Sequence, residues 1–400
     1  MSQQISPTLS ARERRLIGLE YALIFMANGA MFPFFNLYLT KNLGWTGTRI
    51  GSLAALCSLL VMLTQPLWGR LSDASSKSKV LALALGGSSC LTILQPMVAG
   101  TSLAVFVTLR LCHAVFAGSI ASMFDGIALD ILGADRNTYG RYRLWGSLGF
   151  ALAALIFGKV YEALGFTSMF FVYAVIIGGA CCVVLRFDAN PDVDEPERKS
   201  MQLGPVLANP ALLVLLGGIF LVMTPTAAGE NFLSIYLDAI GGSTGLTGYA
   251  FATMALAEVP IFLIAPWVID RFGYKPVLVA STALFGLKLV MNALFPIPWL
   301  VILLQAMAGI GFALFQVSAV LMVDALVPLQ FRSTGQAVLA TVSWSLAGIS
   351  GSLIFGRLLD TAGILAAFRI GGYVGLLGAL FIQLFVPSGE KQQPSVEIEA

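Results

Sequence analysis

Residues 156–165 read IFGKVYEALG and residues 354–363 read IFGRLLDTAG, the same pattern of apolar, basic and acidic positions 198 residues apart. The same spacing relates FFNLYL (34–39) to FLSIYL (232–237), and GRLSD (69–73) precedes PWVID (266–270) by 197. Apolar composition alone produces a chance match now and then, but not three within one residue of the same offset. The chain is therefore two consecutive copies of one unit.

Composition says what that unit is. Of the 400 residues, 58% are hydrophobic and 11% charged, where soluble domains carry about 25% charged residues; mean hydropathy is +0.86. A water-soluble enzyme and a disordered scaffold are excluded, and a net charge of +2 leaves no basic excess for nucleic acid. A spanning helix needs about 20 apolar residues. Hydrophobic runs bounded by charges or by Gly and Pro fall at 16–40, 48–69, 79–100, 103–129, 143–163 and 166–186, then at 210–238, 247–269, 276–296, 299–323, 336–359 and 366–387. Twelve runs over two copies is six each, and an even number gives both copies the same orientation: parallel repeats about an axis along the membrane normal, with a cavity between them. The expected fold is an all-α polytopic membrane protein. It has an N-terminal six-helix bundle over 1–186, a linker over 187–205, a C-terminal bundle over 206–388 and a tail over 389–400.

With the N-terminus inside, the inner segments hold 16 of the 23 basic residues and the outer segments five, leaving Arg110 and Lys288 within the membrane. Both termini are then cytoplasmic, in a cell membrane. The opening stretch MSQQISPTLSARERR shows no small-residue cleavage site, so the first helix is expected to be retained. All five cysteines lie in hydrophobic runs without a CxxC spacing and read as packing residues. No metal or cofactor is expected.

The loops after the second and eighth runs read GRLSDASSKSK (69–79) and PWVIDRFGYKP (266–276). Asp73 and Asp270 stand at helix ends among cations such as Arg271. A carboxylate there can hold the N-terminus of a neighbouring helix, a clamp made in one state of a rocking molecule and broken in the other. Gly69 would let two backbones approach. The bland alternative is that Asp73 only terminates its helix.

GRLSD followed by two lysines resembles the signature loop of the major facilitator superfamily, and Asp270-Arg271-Phe272-Gly273 resembles its second copy; Ala74 and Ser76 depart from the pattern. NGAMFPFF (28–35), TQPLWGRLSD (64–73) and YGRYRLWGSLGF (139–150) resemble the branch holding the lactose and phenylpropionate permeases. The resemblance implies a functional monomer working by alternating access. It also implies substrate binding at Asp125 and Arg143, 18 residues apart, an aromatic platform at Phe150, and at Lys288 a cation where the family has one used in proton coupling; as an intramembrane cation Lys288 is also a candidate for substrate binding. Read as residues alone, Asp125 and Arg143 equally suit a salt bridge between two antiparallel helices.

A charge inside the membrane costs at least about 2.5 kcal/mol on insertion scales, so those kept there are candidates for function. They are Glu20, Arg110, Asp125, Asp130, Glu230, Glu258 and Lys288, together with the single histidine, His113. Glu258 and Lys288 lie on consecutive helices and are open to ion pairing. Glu230 occupies the repeat position of Phe32. A carboxylate whose surroundings change as the halves rock can take up and release a proton, which makes Glu230 and Glu258 the coupling candidates. Asn28 and Asn231, on the helices nearest the pseudo-twofold axis, are candidates for hydrogen bonding a solute; interhelical bonding is the alternative. Asp130 reads as a helix-end residue pairing with Arg136 or Arg141. Glu20 reads as lying near the inner surface beside Arg15 or Lys79, and His113 as packed and neutral.

The reading is a secondary active transporter of a small organic solute, polar or aromatic, driven by proton symport. The alternatives are a proton-coupled antiporter exporting drugs or metabolites, and an uncoupled facilitator. Exporters of the superfamily resemble one another in a fifth-helix proline motif, whereas this chain has WGSLGFALAALIFG there. With no nucleophile–base constellation, metal-ligand cluster or phosphate loop, an enzyme is not expected.

Overall fold

The structure is a computed structural model describing residues 11–187 and 203–387; nearly all of the expected linker 187–205 and the whole tail 389–400 lie outside them. The first half consists of α1 (Ala11–Lys41), α2 (Gly47–Ala74), α3 (Lys77–Val98), α4 (Leu103–Ala117, resuming as Ile120–Leu132), α5 (Tyr139–Leu164) and α6 (Ser168–Val184). The second half begins with α7 (Pro210–Asn231, resuming as Leu233–Ala239), α8 (Thr244–Phe272), α9 (Tyr274–Leu294) and α10 (Pro298–Leu326). It closes with α11 (Arg332–Ala340, a π-helical turn Thr341–Leu346, and Ala347–Ala362) and α12 (Ile364–Phe385). Eleven of these spans are long and apolar enough to cross a membrane, and α6, with 17 residues, sits at the lower limit of about 17. The protein is an all-α multi-pass membrane protein.

The duplication is visible in the helix ends. Thr46 Oγ1 caps α2 through Arg49 N–H at 3.4 Å, and Ser243 Oγ caps α8 through Leu246 N–H at 3.3 Å. The glycines closing the two repeat stretches, Gly165 and Gly363, end α5 and α11 with φ of 80° and 83°, a backbone region that side-chain-bearing residues rarely enter. The outward faces carry large apolar side chains: Leu263 is 80% and Val175 75% exposed. Such a surface is stable only against lipid.

Within the halves, α1 packs on α5 and α6, α3 on α4 and α6, α9 on α10 and α12, and α7 on α11 and α12. Between the halves the main contacts are α5 with α8 and α2 with α11, images of each other under the repeat. These contacts are tightest at the end of the bundle opposite the chain termini. There Glu162 Oε1 accepts from Gly245 N–H at 2.6 Å, while the Asp360 carboxylate accepts from Gly47 N–H at 2.7 Å and Thr48 N–H at 2.8 Å. Each carboxylate seats on the N-terminus of a helix of the other half, where unpaired N–H groups and the helix dipole favour an anion. Lys41 and Asp238, 2.5 Å apart, add an ion pair between α1 and α7. One turn deeper the backbones touch. A Cβ at Gly51 would stand 2.1 Å from Ser352 O, and one at Gly248 would stand 2.2 Å from Ala154 O.

The sequence reading looked for such devices at the other end, on Gly69, Asp73, Asp270 and Arg271. In the structure a Cβ at Gly69 would meet nothing within 4 Å, so no backbone approaches it in this state. Asp73, Asp270 and Arg271 are exposed at the terminal ends of α2 and α8. Carboxylate-on-helix contacts between the halves are made by Glu162 and Asp360, inside the repeat stretches themselves. Two of these hydrogen bonds are part-buried and one is exposed, each worth about 1 kcal/mol. Glu162→Gln with Asp360→Asn is therefore expected to raise labelling of Cys57, which lines the cavity, by an impermeant maleimide from the far side several-fold. The background would have the other four cysteines replaced by serine; unchanged labelling would mean the backbone contacts alone hold this end shut.

Candidate functional site

Three helices break where they face the molecular axis: α4 at Gly118–Ser119, α7 at Phe232 and α11 at its π-helical turn. Between them lies a cavity of two lobes, about 400 Å³ and about 880 Å³, each within the range of small-molecule sites. Phe32, Ser58, Asn231 and Trp344 border both lobes, which therefore lie side by side. The larger lobe descends along Met62, Gln65, Gly118 and Ala337 toward the terminal end.

The smaller lobe is aromatic, walled by Phe25, Phe32, Phe150, Phe251, Phe285, Phe312 and Trp344. Its polar groups come from both halves. Arg143 lies over the Phe25 ring at 3.9 Å and over Tyr21 at 5.7 Å. One turn on, Ser147 Oγ donates to Glu258 Oε1 at 2.9 Å, joining α5 to α8 inside the lobe. Glu230 borders the lobe with its carboxylate taken from behind: Lys288 Nζ donates to one oxygen and Gln305 Nε2 to the other at 3.1 Å. Lys288 is 2% exposed and lies outside the lining of both lobes. The Glu258–Lys288 pairing left open by the sequence is thus replaced by Glu230–Lys288, because α7 breaks just after Glu230 and turns that carboxylate onto α9 and α10.

Asn231 borders both lobes and donates from Nδ2 to Ser352 Oγ at 3.3 Å, and its carbonyl accepts from Asn36 Nδ2 at 2.7 Å. Asn28 lines the larger lobe with its amide turned to Ile24 O at 3.0 Å. Phe150 lines the smaller one. Asp125 lines neither lobe: its carboxylate accepts from the Tyr21 hydroxyl at 2.7 Å and the Tyr139 hydroxyl at 2.9 Å. Among the described residues no ion pair joins it to Arg143. The antiparallel neighbours expected to bring the two together are separated by the Tyr21 ring, which touches both.

Two surrounding readings also change. Asp130 pairs with Lys77 at 2.7 Å, tying α4 to the start of α3. Glu20 is fully buried, and among the described residues neither of its oxygens has a hydrogen-bond partner, because α1 turns that face into α6 rather than to the surface.

A cavity on the axis of two parallel six-helix repeats, shut at one end and lined from both, is the architecture of a solute carrier. The MFS_1 like family model matches residues 16–370. The chain belongs to that family. Its members are membrane transporters rather than enzymes, and this chain is a secondary transporter of small molecules. It is 28% identical over 375 residues to the maltose permease of Geobacillus stearothermophilus, covering 94% of this chain and 95% of that one. It is 27% identical over 305 residues to a protein of Escherichia coli K12 named "Probable 3-phenylpropionic acid transporter", covering 72% and 76%. The crystal structure of the nucleoside transporter NupG superposes with a TM-score of 0.83 at 16% identity, covering 92% of this chain and 98% of that one, a likeness of fold.

Several lining residues carried no signal in the sequence. Trp344 reaches both lobes only because the π-helical turn rotates it inward, as such turns do at functional sites. Ser147 and Phe25 look like ordinary helix residues until α5 meets α8 and α1. Glu162 and Asp360 did carry a signal, two carboxylates at the repeat offset, to which the sequence alone attached no partner.

Proposed function

We propose that this transporter is a proton symporter of a small organic solute with a ring, such as a sugar. The two six-helix bundles, 1–186 and 206–388, rock against each other, both termini are cytoplasmic, and the single chain is the working unit. In this reading the latched end faces outward and the structure is the inward-facing state. The clamp read at Asp73 and Asp270 then stands at the cytoplasmic end of the bundle.

The observation that carries the reading is Glu258, a carboxylate inside the solute cavity whose hydroxyl donor, Ser147, comes from the other half. Rocking α5 away from α8 removes that donor, and a carboxylate whose donors change between states exchanges a proton between them. Glu230 differs in that both its partners, Lys288 and Gln305, belong to its own half and travel with it, which suits an acceptor of fixed geometry for the solute. The aromatic walls suit the faces of a ring, with Arg143, Asn231 and Asn28 as hydrogen-bonding groups. The relationship to a maltose permease makes sugars the first solutes to test.

In proteoliposomes without an imposed gradient, adding maltose, other sugars or aromatic acids singly is expected to alkalinise the medium for one class. Glu258→Gln is expected to abolish that signal and reduce uphill accumulation to equilibration while solute exchange continues. Acidification would instead establish exchange of solute for protons, and labelled uptake without a pH change would establish facilitation.

A further inference from the structure

The larger lobe contains a cation that the proton-coupling scheme does not use. Arg110, from the first segment of α4 (Leu103–Ala117), lines it, while no aspartate or glutamate among the described residues does. Among the described residues no carboxylate stands within ion-pair distance of Arg110. The smaller lobe holds Arg143 with Glu230 and Glu258, so the two lobes differ in charge.

Arg110 is also held in place. Its guanidinium lies over the Phe35 ring at 4.0 Å, and Nη1 is 3.1 Å from His113 Nδ1. Arginine only donates, so Nδ1 must accept, which puts the imidazole proton on Nε2. That nitrogen lies 3.2 Å from Ser88 Oγ, and Ser88 Oγ lies 2.9 Å from the Tyr173 hydroxyl. His113, Ser88 and Tyr173 are all buried, and the chain they form across α3, α4 and α6 fixes the guanidinium at the cavity wall. The Nε of Arg110 is buried without a partner among the described residues. A cation kept in the membrane interior at a cost of a few kcal/mol, without a protein anion, is arranged for an anion that arrives.

We infer that the transported solute is an organic anion, a carboxylate or a phosphate monoester, whose charged group docks on Arg110 in the larger lobe while its body reaches the aromatic lobe. Guanidinium takes either group through paired N–H bonds, and Phe32 and Trp344 border both lobes, so they stand between the two ends of such a solute. The inference rests on the reading of this cavity as the solute path and narrows its substrate class. Ser88 is a positioning residue in this scheme, acting only through the chain that holds Arg110, while His113 and Tyr173 belong to that chain and also line the lobe.

The test uses two matched sets of solutes: glucose, glucuronate and glucose 6-phosphate, and benzyl alcohol with benzoate. Calorimetric binding to the purified full chain is paired with labelled uptake into proteoliposomes. An anionic member is expected to bind at least tenfold tighter than its neutral partner. Arg110→Gln should collapse that ratio to about one, and Arg110→Lys should keep part of it. A thermal-unfolding midpoint and size-exclusion profile like those of the wild type show that the variant is folded. A phosphate-only or carboxylate-only preference identifies which anion is the cargo. Equal affinity of neutral and anionic partners, or a preference that survives Arg110→Gln, overturns the inference while uptake of the neutral solute leaves the transport reading standing. Absence of uptake for every solute overturns both.

Discussion

Replacing Gly51 and Gly248 by tryptophan is expected to abolish net transport and leave the cavity open at the far end. The two positions are related by the repeat, and each lies where backbone of the opposite half fills the space a side chain would need: a Cβ would sit 2.1 Å from Ser352 O and 2.2 Å from Ala154 O. Those are backbone atoms within helices, so no side-chain rotation relieves the clash. Overpacking by a single methyl group costs about 1–3 kcal/mol, and an indole cannot be accommodated with the helices in this arrangement at all. The closed far end, held in addition by Glu162 and Asp360, is lost, and reversing a two-state population from 1:99 to 99:1 takes about 5.5 kcal/mol, well within what two indoles demand. Maleimide labelling of Cys57 from the far side should rise to completion while solute still binds. Transport at the unmodified rate would show that this contact opens and closes without governing access.

The second large effect lies behind the cavity wall. Lys288→Met should destabilise the protein by about 3–5 kcal/mol, because it strands the Glu230 carboxylate with Gln305 as its remaining partner. Neutralising the other partner as well, Glu230→Gln with Lys288→Met, removes the uncompensated charge and should recover most of the loss, since a buried pair contributes little beyond its own desolvation. Thermal unfolding of detergent-solubilised protein for wild type, both single variants and the double variant completes the cycle. Additive losses would mean that the two groups do not depend on each other.

Much of this architecture is legible in the chain. Helix number, the even split into two halves, their parallel orientation and the membrane as solvent all follow from hydrophobic length and the 198-residue spacing of IFGKVYEALG and IFGRLLDTAG. Both are properties of consecutive residues. The cavity is less legible. Phe150, Arg143, Asn231, Glu230 and Glu258 do line it, since a charge or amide in an apolar run has few places to go besides the axis. Partners did not follow: Lys288 goes to Glu230 and not Glu258, and Asp125 goes to two tyrosines and not to Arg143.

The division has a physical cause. Whether a segment enters the membrane depends on its summed transfer free energy, which the sequence contains in full, and repetition of that pattern determines two six-helix halves whatever their packing. Which side chains meet depends on helix rotation about the long axis, where one residue turns a side chain by about 100°, and on the breaks in α4, α7 and α11 that reset this rotation midway. Those breaks are set by contacts between distant helices. Only the tertiary structure could therefore decide that Trp344 faces solute, that Arg110 stands in a lobe without an acidic side chain, and that Glu162 and Asp360 close the far end of the bundle.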